Sequence, residues 1–460
     1  MPNYEEARGL LRVHHQEHLL HYWDELDTLC KQTLLEDIGK VDFKLISRLH
    51  NLAVTPGMHA EEEILPLRGR TFDSFPVPER SVMSNAGFRM LREGKVAALL
   101  VAGGQGTRLG IEGPKGTLDI GLPSKKSLFQ LQAERLLNLS RQCGRAIPWM
   151  IMTSRENHAQ TENFFKAQAY FGLNPGQTAF FPQKELPILD LEGKILLTEK
   201  HRIATGPNGN GGCFAALKDS GNLSELKKQG VEWLFVYSVD NALVRVCDPR
   251  FLGMASKSGL PVASKYVTRK EPGERVGVFC RRKGLPSVVE YSEMTPAMAS
   301  AMDASGTLAY GAANIAIHLF QIDYLEKHSG ETLPYHVARK KIQCLDSNGK
   351  SALPAEPNAH KFELFMFDLF SKSDRICLME VDRDEEFAPV KNSSHQGEDS
   401  PETARRLLLE LYRKWALEAG FSAVELKDLE IEVSPLTSYA GENLRKEIFR
   451  RDPLRPILLA

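Results

Sequence analysis

Residues 99–110 read LLVAGGQGTRLG, and residues 114–116 read PKG. An apolar run thus enters a cluster of glycines that carries one arginine, with a lysine close behind. Glycine has no Cβ and adopts positive φ at little cost, so Gly103, Gly104 and Gly106 are expected there. Their N–H groups can converge on anionic oxygens, assisted by a helix N-terminus nearby. Arg108 supplies a planar fork able to hold two oxygens, and Lys115 a point charge. Two cations beside a bare-backbone cradle suit a pyrophosphate that gathers charge as it leaves. The loop is not GxxxxGK[ST], because no Lys-Ser/Thr pair follows the glycines. It is not GxGxxG either, because Leu109 stands at the third glycine. Asp240 ends the apolar run LFVYSVD. A carboxylate at the C-terminal edge of a strand can hold Mg²⁺, although an Asx turn with Asn241 would use the same residues. We find no Ser-His-Asp set. His14, His15, His18 and His21 could share one helix face, but without HExxH or a well-placed acid they read as a solvated face.

These residues need elements to position them. VAALLV, SLFQLQAERLLNL, PWMIMTS, TENFFKAQAYFG, TAFFPQ and WLFVYSVDN alternate strand and helix patterns. That predicts an α/β domain with a mostly parallel sheet. Residues 1–92 read as helical, with Leu19, Tyr22, Trp23, Leu26, Leu29 and Cys30 at spacings of three and four. A small C-terminal unit takes 391–460. There Ser400 can cap a helix that has Pro401 at its first position, Gly420 can end it, and LEIEV reads as a strand. The catalytic domain is therefore expected over 93–390.

The chain has 460 residues and a formal net charge of -1, so no global field recruits nucleic acid or an anionic membrane. Its seven cysteines are scattered without CxxC, which excludes a disulfide framework and fits a reducing, cytoplasmic setting. No apolar run approaches the roughly 20 residues of a membrane span.

The ordered series LLVAGGQGTRLG…PKGTLDIGLPSKKSLFQLQAER, FFPQKELP, PNGNGG, VYSVDN, VVEYSE, AANIAIH, FAPVKN and SPLTSYAGE closely resembles the eukaryotic-type UDP-N-acetylhexosamine pyrophosphorylases. The resemblance implies a nucleotidyltransferase (Rossmann-like) fold, a mixed, mostly parallel sheet flanked by helices. It also implies uridylyl transfer from UTP to an N-acetylhexosamine-1-phosphate with Mg²⁺, or Mn²⁺ in its place, by a monomer or weak homodimer. It assigns Val101, Ala102, Gly103, Gly104, Gln183, Gly209, Asp240 and Lys361 to UTP, with Arg108 and Lys115 gripping the phosphates. It assigns Asn210, Gly277, Glu290, Asn314 and Lys391 to the sugar phosphate and Asp240 to the metal, with Lys265 a weaker candidate. GAANI replaces the family's more usual NAGNI, so Gly311 and Ala313 are expected to alter the wall beside Asn314. Two other readings remain: a UDP-glucose or broad UDP-sugar pyrophosphorylase, and a silent nucleotide-sugar sensor.

Overall fold

The computed structural model describes residues 1–55, 63–331, 333–346, 348–394, 397–453 and 455–460. Contacts divide the chain into two compact units. One comprises 1–61, 183–213 and 332–368; the other comprises 62–182, 214–331 and 369–460.

The larger unit is organised by one mixed, mostly parallel sheet. VAALLV forms its strand Val96–Val101, buried up to Val101. This strand pairs in parallel with Trp149–Thr153 on one side and Trp233–Ser238 on the other. Thr178–Pro182 extends the sheet beyond Trp149–Thr153, also in parallel. Ala312–Gln321 is the antiparallel insertion, lying between Trp233–Ser238 and Val262–Thr268. Cys377–Glu380 and Arg70–Thr71 complete the far edge in parallel. The central strands are covered on both faces, so their sequences are continuous apolar runs rather than alternating ones. Phe129, Trp149, Phe165, Phe235 and Phe251 lie in the core around them.

Two helices illustrate how tightly the flanks pack. Val77–Arg92 and Pro249–Ser258 meet at glycines: a Cβ on Gly253 would lie 1.7 Å from the Met83 carbonyl oxygen. Helix Leu128–Cys143 starts where the Ser127 side chain accepts the Gln130 N–H, and ends at left-handed Gly144. At the C-terminus, Ser400 caps helix Pro401–Glu418 by accepting the Thr403 N–H, and Gly420 follows at φ 104°. The LEIEV pattern forms strand Glu430–Glu432, which pairs with Ile457–Leu459.

The smaller unit packs helices Tyr4–Val13, Thr28–Lys40 and Phe43–Val54 with short strands. Its core includes Leu11, Leu34, Ile38, Phe43, Leu189, Ile195 and Phe362. Residues 19–30 do not form the single helix that their spacing suggested. Glu17–Leu20 and Trp23–Glu25 are separate 3-10 turns. Asp27 then opens a new helix by accepting the Cys30 N–H at 2.7 Å. The histidines accordingly share no helix face. His14 caps the first helix, His15 sits at φ 56°, and His18 donates from Nε2 to the Ile195 carbonyl at 2.8 Å. Burial, foremost, pulls the His18 imidazole below its ordinary pKa. Nor is the stretch to residue 92 wholly helical: Ile64–Pro66 and Arg70–Thr71 are strands, recruited by pairing in the larger unit. No helix among the described residues is long and apolar enough to cross a membrane.

Candidate active site

In the larger unit, the glycine loop leaves the C-terminal end of the central strand, where ligands gather in open α/β sheets. Gly103, Gly104 and Gly106 do not adopt the expected left-handed conformation. Gly110 at φ 75° and Gly113 at φ 105° do, because the chain turns there instead. The earlier glycines serve by being bare. A Cβ on Gly106 would lie 2.1 Å from Ile111 Cγ1, whereas one on Gly104 would meet nothing nearer than Lys115 Cε at 4.0 Å. The Gly103 and Gly104 amides donate to no acceptor among the described residues, so two N–H groups stand ready for an anion. No α-helix begins at the loop. Two 3-10 turns, Thr107–Leu109 and Lys115–Thr117, carry Arg108 and Lys115.

The loop is held from below by a residue the sequence did not flag. Asn157 is fully buried, and its amide donates to the Ala102 carbonyl at 3.0 Å and the Gly104 carbonyl at 3.4 Å. The Lys115 N–H donates to the Gly104 carbonyl at 3.2 Å, closing the other side. Lys115 Nζ then stands 3.8 Å from Asp240 Oδ2, both side chains largely buried. Arg108 is exposed and makes no ion pair among the described residues.

Asp240 is fixed by its neighbour. Asn241 is 3% exposed; its amide donates to the Glu386 carbonyl at 2.7 Å, and its Oδ1 accepts the Leu243 and Ala388 N–H groups. The Asx turn thus belongs to Asn241 and leaves the Asp240 carboxylate uncommitted to it. The Val390 N–H donates to the Asp240 carbonyl at 2.9 Å, so Asp240 and Lys391 hang from one pair of stitched segments. Lys391 Nζ lies 3.9 Å from Asp399 Oδ2. Burial, foremost, pushes the Asp399 carboxyl up; Lys391 opposes the rise and the Asp240 charge adds to it.

Three residues of this unit expected on the sugar side are also brought together. The Asn314 N–H donates to the Gly277 carbonyl at 2.8 Å, and a Cβ on Gly277 would lie 2.8 Å from Glu290 Oε1. Asn314 sits at an irregularity in the ladder, beside Ala316 at φ 54°. Ala313 does not wall this site. It is wholly buried in the main core, as period-two alternation requires for the neighbour of Asn314. Gly311 faces the Leu308 carbonyl and Arg68. Lys265 is likewise no ligand-facing cation: it is fully buried between Asp248 at 2.6 Å and Glu386 at 2.5 Å.

The smaller unit carries the remaining candidates. Gln183 is 7% exposed. Gly209, at φ 87°, sits in a turn clasped to Leu364, where a Cβ would lie 2.4 Å from the carbonyl oxygen. Asn210 Oδ1 accepts the Met366 N–H at 3.0 Å. Lys361 passes over Gly206 and pairs with Glu363 at 2.9 Å. A cleft of about 270 Å³ in this unit, lined by His14, Phe43, Ile46 and His50, holds none of the expected site residues.

Residues 73–441 match the family described as UTP–glucose-1-phosphate uridylyltransferase. The chain belongs to this family. Within it, UDP-N-acetylglucosamine diphosphorylase 1 of Arabidopsis thaliana is 40% identical, over 94% of this chain and 89% of that protein. UDP-N-acetylglucosamine pyrophosphorylase of Saccharomyces cerevisiae is 38% identical, over 93% and 94%. The crystal structure of the uridine diphosphate N-acetylglucosamine pyrophosphorylase from Trypanosoma brucei in complex with inhibitor superposes with a TM-score of 0.83. It is 29% identical and covers 100% of this chain and 98% of that one.

Proposed function

We infer that the chain is a UDP-N-acetylglucosamine pyrophosphorylase. A phosphate oxygen of N-acetylglucosamine-1-phosphate attacks the α-phosphorus of UTP; the bond to the β-phosphate oxygen breaks, and pyrophosphate leaves. Full-length kinship with proteins named for this activity carries the reading. The attacking group is already an anionic oxygen, so catalysis reduces to positioning and charge stabilisation. The Gly103 and Gly104 amides and Lys115 meet the UTP phosphates, and Arg108 takes up charge on the leaving pyrophosphate. Lys391 meets the sugar phosphate, with Gly277, Glu290 and Asn314 beside the sugar. In the smaller unit, Gln183, Gly209 and Lys361 are the residues assigned to UTP and Asn210 the one assigned to the sugar phosphate. The donor set suits magnesium: the Asp240 carboxylate is partly exposed and lies 3.8 Å from Lys115, beyond a hydrogen bond. Mg²⁺ asks one or two carboxylates of the protein and takes its remaining oxygens from phosphates and water. Bound there, it would neutralise phosphate charge. Seven cysteines that form no disulfide among the described residues suit the cytosol.

The test is pyrophosphate release from UTP with N-acetylglucosamine-1-phosphate, N-acetylgalactosamine-1-phosphate or glucose-1-phosphate, with and without chelator. The highest kcat/KM is expected for N-acetylglucosamine-1-phosphate, with loss of activity in EDTA. A preference for glucose-1-phosphate overturns the substrate. Tight UDP-sugar binding without turnover identifies a sensor.

A further inference from the structure

Asp399 belongs to none of the motifs that mark the site, yet it is tied to Lys391 twice. Its carbonyl accepts the Lys391 N–H at 2.6 Å and the Asn392 N–H at 3.0 Å, closing the loop on the lysine's own backbone. Its carboxylate lies 3.9 Å from Lys391 Nζ, near enough to attract but beyond hydrogen-bond range. The residue also holds φ 51°, a conformation that glycine adopts without strain and asparagine shares with aspartate. The backbone alone therefore gives no reason for a charged group. The carboxylate is partly exposed, and its only cationic partner within 4.0 Å among the described residues is Lys391. A phosphate arriving at Lys391 must share that ammonium with Asp399, and it carries the same sign of charge.

We propose that Asp399 is a positioning residue, a built-in competitor that holds the Lys391 ammonium in place before the sugar phosphate arrives and weakens the enzyme's hold on the phosphate afterwards. Such a group favours release of a doubly charged product over tight retention. The proposal rests on the reading of Lys391 given above. It differs from a structural role in the sign of its effect: losing a scaffold weakens binding, whereas losing a competitor tightens it.

The experiment is calorimetric titration of UDP-N-acetylglucosamine, in EDTA so that no divalent cation takes part. It uses wild type, Asp399→Asn, Asp399→Gly and Lys391→Ala, the last with and without Asp399→Asn. Asparagine and glycine both accept the left-handed backbone, so the loop closure survives. Both Asp399 variants are expected to bind about five-fold tighter, the scale of a partly exposed charge pair. The gain should vanish in the Lys391→Ala background. Unchanged or weaker binding in both Asp399 variants overturns the proposal, as does a gain that persists without Lys391. A wild-type chain that binds no UDP-sugar overturns the uridylyltransferase reading and this inference with it; a wild type that binds while the variants fail to tighten overturns the inference alone.

Discussion

Three lysines expected at phosphates each stand beside a carboxylate: Lys115 by Asp240, Lys361 by Glu363 and Lys391 by Asp399. Arg108 does not among the described residues, and it sits exposed on a 3-10 turn beside bare backbone. An unshared guanidinium can give its whole charge to a developing diphosphate. Arg108→Ala should therefore lower kcat several hundred-fold, on the scale of roughly 3 kcal/mol for a lost transition-state contact. UDP-sugar affinity, measured by calorimetry, should fall far less; equal losses would make Arg108 a plain binding residue. Asn157 poses a different case. Asn157→Ala takes the side-chain donor from the buried Ala102 carbonyl, while the Gly104 carbonyl keeps the Lys115 N–H, and should cost about 1–3 kcal/mol in urea unfolding, the cost of leaving a buried acceptor unmet. The cation types of the loop were legible in the sequence because they sit within a few residues of the glycines. Asn157 and Asp399 were not, since each acts through hydrogen bonds or charges reaching partners set by the fold rather than by spacing.

Elements were readable where burial leaves a simple pattern. The runs VAALLV and WLFVYS became central strands because both faces of the sheet are covered. Periodicity failed over 19–30, where two 3-10 turns place apolar residues inward without helical phase. The resemblance placed Ala313 in the wall beside Asn314, whereas the structure buries it in the main core, because neighbours along a strand face opposite sides. The cap at Ser400 was legible from residue type alone; Ser400→Ala should lower stability by about 1 kcal/mol. Strand Ala312–Gln321 carries a further consequence. His318 is fully buried against Phe370, with Ser264 Oγ 2.7 Å from its Nδ1. Burial lowers its pKa to about 3. The unfolded chain takes a proton there below about pH 6.5, and the folded chain refuses it. This contribution to stability is thus whole above pH 6.5 and declines as pH falls toward 3, by up to about 1.4 kcal/mol per pH unit. Urea midpoints at pH 7 and pH 5 should differ less in His318→Asn than in wild type.

At the scale of the molecule, occupancy and folding are linked. Ligand that binds only the native state adds about 2.7 kcal/mol at a hundred times Kd. UDP-N-acetylglucosamine at that excess should raise the melting temperature of wild type, and of Arg108→Ala nearly as much. The buried pairs of Lys265 set a contrasting requirement. Lys265→Met removes the cation held between Asp248 and Glu386, leaves Glu386 only the more distant Arg245 at 3.6 Å, and should cost about 3–5 kcal/mol. That loss should appear as a lower melting temperature with or without ligand.

The smaller unit is assembled from 1–61, 183–213 and 332–368, and its core joins Leu11, Leu34 and Ile38 to Leu189, Ile195 and Phe362. On the ribosome the first helices emerge long before the strands that cover them. At roughly 5–20 residues per second, their oily sides wait some tens of seconds for Phe362. During that interval nascent chains should be caught by chaperones that grip exposed apolar segments, and release should coincide with emergence of the stretch ending at 368.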